Sequence, residues 1–139
     1  NSRLDTLQAA ILNVKLQYLN GYTQKRNEAA IYYDHALANL SGVTIPYRDS
    51  KSTHVFHQYT LKVERRDELK KYLEEQGIPT MIYYPVPLHL QKAYQQSNVG
   101  KGSFPVTEKL SETVISLPMH TEMKTEELEF ITKTIKAFY

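Results

Sequence analysis

A chain of 139 residues, 41% hydrophobic and 23% charged, is long enough for one globular domain with a real core and too short for two. Its formal charge of +2 is spread rather than gathered into a basic stripe, which argues against a nucleic-acid footprint, and the absence of cysteine removes disulfides, thiolate nucleophiles and Cys-rich zinc sites. No apolar run approaches the roughly 18 to 20 residues of a membrane span and no basic-then-apolar leader precedes the first helix, so the expectation is a cytoplasmic protein with no membrane partner.

Leu4, Leu7, Ile11, Val14 and Tyr18 recur at helical spacing, with Leu12, Leu16 and Leu19 widening the stripe. The pattern predicts one long, well-buried helix, ended or bent at Asn20-Gly21. A second helix is expected over residues 23–39, with Ala29, Ala30, Tyr33, Ala36, Leu37 and Leu40 inward and Ser41-Gly42 as its stop. The two should pack as a hairpin. After a loop containing Pro46, residues 53–63 alternate, placing Val55, His57, Tyr59, Leu61 and Val63 on one face of a strand. Residues 67–76 read as a short helix, with Gly77 where a left-handed cap is wanted and Pro79 just beyond. Residues 80–84 read as a second strand, cut off by two prolines. A polar loop with Gly100 and Gly102 spans residues 95–103, and Pro105 suits the first turn of a helix running to Thr113. Residues 114–117 form a third short strand, and Thr125 caps a last helix whose stripe is Leu128, Ile131, Ile135 and Phe138. Strands separated by helices indicate a two-layer α/β or α+β arrangement with helices on one sheet face; pattern alone leaves the strand directions open.

Two stretches go beyond what a fold needs. Asn1-Ser2-Arg3 stands at the start of the first helix, where unpaired amide donors and a partial positive charge favour an anion. On these residues alone, the plainer reading is that Asn1 or Ser2 caps the helix and Arg3 is solvated. In Tyr83-Tyr84-Pro85-Val86-Pro87-Leu88-His89 the prolines remove ladder donors and fix the backbone, so the aromatic side chains are presented at a rigid edge. Phenol hydroxyls and the imidazole suit hydrogen bonds to a sugar or diphosphate, and the ring faces suit stacking; the alternative is a packed corner, with Tyr84 in the core and His89 capping the next helix. His54 and His57 lie three apart on the expected strand and so on opposite faces, which opposes a shared metal ion. His35, His120, Arg26 and the run Arg65-Arg66-Asp67-Glu68 read as structural or solvated, and no phosphate-binding glycine loop, nucleophile elbow or metalloprotease motif occurs.

Asn1-Ser2-Arg3 leading into Leu4-Asp5-Thr6-Leu7-Gln8, together with Tyr83 to Gln91, resembles the C-terminal segment of the DegT/StrS family of sugar aminotransferases. The resemblance covers essentially the whole chain, about the last third of a full-length member. It implies the small domain of type I aminotransferases: a long N-terminal helix hairpin with a three-stranded, mainly antiparallel sheet flanked by helices. It further implies a homodimer using pyridoxal phosphate to move an amino group, commonly from glutamate, onto a nucleotide-linked keto sugar in polysaccharide or amino-sugar biosynthesis. By the same resemblance Asn1 reaches the cofactor phosphate of the neighbouring subunit, and Arg3, Tyr83, Tyr84 and His89 contact the substrate. Similar enzymes often carry His-Tyr-Pro where this chain has Tyr83-Tyr84-Pro85. No catalytic residue and no metal ligand falls in this segment; the Schiff-base lysine belongs to an N-terminal large domain. Leu4 to Gln8 leans towards members acting at the C3 ketone of a UDP-linked sugar. Two other classes stay open: a stand-alone small-molecule-binding or regulatory module, and a dimerisation domain without catalysis.

Overall fold

The computed structural model describes residues 3–94 and 98–139. Helix α1 (Thr6–Leu16) opens on Asp5, whose carboxylate accepts from the Gln8 amide at 2.7 Å, and α2 follows over Leu19–Leu37. The helices part at Gln17 and Tyr18, both in right-handed helical conformations, so Asn20-Gly21 lies inside α2 instead of ending its predecessor. The inward face of α2 is as its spacing predicts, with Ala29, Ala30, Tyr33 and Leu37 buried. The expectation for α1 needs correcting: it buries no side chain, Leu7 is 73% exposed, and no buried seam packs it against α2 as a hairpin. Periodicity identifies a face that favours cover; it does not supply the cover.

Three strands form an antiparallel sheet in the order β1 (Val43–Thr44), β2 (Tyr59–Val63), β3 (Val114–Leu117). The α/β class with a three-stranded antiparallel sheet flanked by helices is therefore as expected, but its membership differs. Residues 80–84 contribute only a bridge from Met81 to Ser116, and the unforeseen β1 takes the third place, Val43 pairing with Val63. The strand expected from residue 53 starts only at Tyr59, because Phe56 adopts φ 45°. That reversal breaks the alternation, puts Phe56 in the core at 2% exposure and leaves Val55 and His57 outside.

Helix α3 (Arg66–Glu75) ends as predicted: Gly77 sits at φ +75°, and the amides of Gly77 and Ile78 close on the carbonyls of Glu74 and Leu73. Helix α4 (Pro105–Thr113) runs directly into β3, both within the predicted limits. Helix α5 (Thr125–Phe138) buries Leu128, Ile131 and Ile135. Its cap is Lys124 and not Thr125, with the Glu127 carboxylate reaching back to the Lys124 amide at 2.8 Å.

The core gathers Tyr33 and Leu37 of α2, Tyr59 and Leu61 of β2, Leu69 and Leu73 of α3, Ile115 of β3 and Ile135 of α5. Val114 alternates away from Ile115 and meets Thr107, Leu110 and Ser111 of α4, so α4 stands on the side of the sheet opposite that core. The expected stacking of helices on one face is corrected to that extent. Among the described residues no helix is long and apolar enough to cross a membrane.

Candidate functional site

Beyond the Met81 bridge the chain leaves the sheet through Tyr83 and Tyr84, joined by a cis peptide, and then through Pro85 and Pro87 into a 3-10 turn at Leu88–Leu90. Tyr83 and Tyr84 are 39% and 75% exposed, their rings edge to face at 5.8 Å. They open onto a cavity of about 410 Å³ between this segment and α4, lined by apolar Val86, Pro87, Leu88, Leu110 and Val114 and by polar Gln91, Thr107 and Ser111. Among the described residues no lysine, arginine or carboxylate lines it. Such a surface can hold a ring or sugar face by stacking and orient it through hydroxyl and amide groups.

His89 does not face that cavity. Its side chain is 9% exposed, its Nε2 lies 2.9 Å from Glu108 Oε1, and the Phe104 ring stands edge-on to it at 4.9 Å. Glu108 also accepts from the amides of Gly102, at 2.8 Å, and Phe104, at 3.3 Å. The His89 bond first, and then the Gly102 amide, hold its carboxyl below the usual carboxylate range. Gly102, at φ +92°, makes the turn that aims its amide at that carboxylate.

Arg66, expected to be solvated, is 9% exposed and donates from Nη1 to the carbonyls of Ser111 and Val114 at 2.9 and 3.1 Å. It thereby satisfies one carbonyl in the last turn of α4 and the first carbonyl of β3, and fixes the end of the cavity where α4 meets β3. Arg26 is likewise drawn in, with Nη1 3.3 Å from the carbonyls of Phe56 and His57 and 3.4 Å from that of Met119. On the other side of the sheet the Tyr59 hydroxyl donates to Asp34 at 2.6 Å, Arg48 pairs with the same carboxylate, and the Arg48 guanidinium lies over the Phe56 ring at 4.4 Å.

Arg3 is exposed and does not line the cavity, and Asn1 lies outside the described residues. Asp5, not Asn1 or Ser2, caps α1, so a carboxylate already holds one of the amide donors that an anion at this helix mouth would need. The His54 Nδ1 accepts from the Phe56 amide, the His120 Nδ1 accepts from the Glu122 amide, and His35 and His57 are exposed. Among the described residues no group of three or more His, Cys, Asp or Glu is placed to hold a metal ion. The residues that sequence reasoning missed are Glu108 and Arg66. A signal for Glu108 was present: an acidic residue in the first turn of a helix, following a glycine-containing loop, is placed to take up free amides.

The model of the DegT/DnrJ/EryC1/StrS aminotransferase family matches residues 1–136. Over its full length the chain is 43% identical to a pleiotropic regulatory protein of Geobacillus stearothermophilus, of which it covers 38%. It is 41% identical, over 99% of its length, to a dTDP-3-amino-3,6-dideoxy-alpha-D-galactopyranose transaminase of Aneurinibacillus thermoaerophilus, of which it covers 37%. Among solved structures, S. venezuelae DesV superposes with a TM-score of 0.96 at 35% identity, across 99% of this chain and 37% of that one. The chain thus spans less than two-fifths of the length of these relatives.

Proposed function

Since the chain belongs to the DegT/DnrJ/EryC1/StrS aminotransferase family, we propose that residues 1–139 are a single domain, the C-terminal small domain of a pyridoxal-phosphate-dependent aminotransferase. That enzyme transfers an amino group from glutamate to a keto sugar carried on a nucleotide, acts as a homodimer in the cytoplasm, and serves cell-surface polysaccharide or amino-sugar biosynthesis. The observation that carries the reading is likeness over nearly the whole chain to relatives named as transaminases of dTDP-linked and UDP-linked sugars. Their names share the 3-position, and we take the ketone to be at C3.

In this reading Tyr83 and Tyr84 hold the nucleotide-linked sugar against the apolar cavity wall, Arg3 pairs with its diphosphate, and Asn1 reaches the cofactor phosphate of the second subunit. Phenol hydroxyls hydrogen-bond the sugar while their rings cover its apolar face. His89 supports this wall instead of touching the sugar, because its imidazole is turned into the domain. Pyridoxal phosphate supplies an electron sink for the reaction. The described residues do not complete a place for it: the cavity offers neither a lysine for its aldehyde nor a carboxylate for its ring nitrogen. No step of the reaction is assigned to this chain on its own.

The 139-residue chain, given pyridoxal phosphate, glutamate and a dTDP- or UDP-linked 3-keto sugar, is expected to form no amino sugar detectable by mass spectrometry. Joined to a large domain encoded ahead of it, it is expected to aminate the sugar at the expense of glutamate. Amination by the chain alone, or none by the joined polypeptide, rejects the reading. The name of the Geobacillus relative favours a second reading, a ligand-binding regulatory module. Calorimetric titration separates the two: saturable binding of a free amino acid with no response to nucleotide-sugars supports regulation.

A further inference from the structure

The two walls of the Tyr83–Tyr84 cavity come from distant parts of the chain. One is the irregular segment carrying Val86 and Leu88; the other is α4, with Thr107 and Leu110. The segment belongs to no strand, and its own backbone bonds, Leu90 to Pro87 and Gln91 to Leu88, are internal to the turn. They shape the turn without setting its distance from α4.

A side-chain bond spans that gap. His89 directly follows the lining residue Leu88, Glu108 directly follows the lining residue Thr107, and the two meet at 2.9 Å with side chains only 9% and 13% exposed. Both ends of the bond are themselves fixed. The amides of Gly102 and Phe104 hold the carboxylate, and the Phe104 ring packs against the imidazole. A carboxylate held by several donors away from water keeps one geometry, and its bond to an imidazole is of the stronger, charge-assisted kind.

We infer that His89 and Glu108 are a positioning pair that sets the width of this cavity, and with it the placement of Tyr83 and Tyr84 against a nucleotide-linked sugar, while neither touches the sugar. The part concerning the sugar rests on the reading given under Proposed function; the part concerning the cavity does not. Misplacing a binding wall weakens the substrate complex without removing any reacting group, so the effect falls on KM and not on kcat.

Amide exchange followed by NMR on the 139-residue chain tests the geometry. In His89→Ala the Gly102 and Phe104 amides are expected to exchange about tenfold faster, the worth of roughly one hydrogen bond. The Tyr83 and Tyr84 ring resonances should shift, while the β2 amides stay protected. His89→Gln, whose carboxamide can still donate to Glu108, should keep the parent pattern. Parent-like exchange and ring resonances in His89→Ala overturn the pair, as does a His89→Gln variant disturbed as much as His89→Ala. Should His89→Ala lose β2 protection as well, Glu108→Gln decides: faster Gly102 exchange with shifted tyrosine rings supports the pair, and an unchanged spectrum overturns it. In the joined polypeptide, His89→Ala should raise KM for the nucleotide-linked keto sugar about tenfold, with the KM for glutamate and kcat near the parent's and His89→Gln restoring the value. An unmoved KM rejects the sugar-placing role. If the parent joined polypeptide forms no amino sugar, it is the functional reading that fails, and the pair stands or falls on exchange alone.

Discussion

Arg66 and its neighbour Asp67 show how little a charge pattern says about energy. The two side chains touch at 2.6 Å, yet Arg66 is 9% exposed and Asp67 is 85% exposed. The work of the guanidinium lies in its bonds to the Ser111 and Val114 carbonyls. Urea denaturation is expected to show Arg66→Ala destabilised by roughly 1–3 kcal/mol, because two buried acceptors lose their donor. Asp67→Ala should stay within about 0.5 kcal/mol of the parent; equal losses would show that the exposed ion pair matters instead. The phenols of Tyr33 and Tyr59 give a pH prediction. Burial pushes both well above the usual tyrosine range, helped at Tyr33 by the charge of Glu127 and at Tyr59 by the hydrogen bond to Asp34. Above pH about 10 the unfolded chain loses protons that the folded chain keeps, so stability falls as pH rises, by about 1.4 kcal/mol per pH unit for each such tyrosine. Unfolding free energies should lose little to these groups near pH 9 and bend towards that slope above about 10, and Tyr59→Phe should flatten the fall by the share of one residue.

At the scale of elements, local chemistry decided what the sequence made legible. Helix α4, β3 and the end of α3 fall where Pro105 and Gly77 put them, since a proline in the first turn and a left-handed cap act within a few residues. Residues 53–58, residues 80–84 and α1 went astray because distant groups settle them: Arg26 and Asn27 of α2 take the carbonyls around Phe56, and one bridge to Ser116 is all that binds Met81 to the sheet. The candidate site divides in the same way. The Tyr83–Tyr84 corner was readable from its prolines, whereas the burial of Arg66 depends on carbonyls at Ser111 and Val114 far along the chain. The two kinds of glycine make a paired test. Gly21 lies in α2 with nothing within 4 Å of an added Cβ, so Gly21→Ala should stabilise by about 0.5–1 kcal/mol. Gly77 has equal room but φ +75°, so Gly77→Ala should destabilise by about 1 kcal/mol or more. Thermal melts with the same sign for both would refute the conformational account.

Considered as a whole, the molecule exposes 10303 Å², against about 7,400 Å² for a compact monomer of 16.1 kDa. Part of the exposed apolar surface is on α1, where Leu7, Ile11, Val14 and Leu16 are each at least half exposed. Of these, Leu7, Ile11 and Val14 follow one another at three- and four-residue spacing along one side of the helix, an exposed apolar stripe that favours association. Sedimentation of the 139-residue chain is expected to depend on concentration, and Leu7→Gln with Ile11→Gln to abolish that dependence while leaving the unfolding free energy within about 0.5 kcal/mol. A large loss of stability in the double variant would mean that α1 packs on its own domain after all.

The sheet constrains the manner of any such association. One margin is the two-residue β1, and Met81 already exchanges both backbone bonds with Ser116 along the other. Neither border leaves a long row of open amides and carbonyls for a foreign strand to zip onto. Fibril-like stacking through main-chain addition is thereby discouraged, and contact with another polypeptide is left to side chains on helical surfaces.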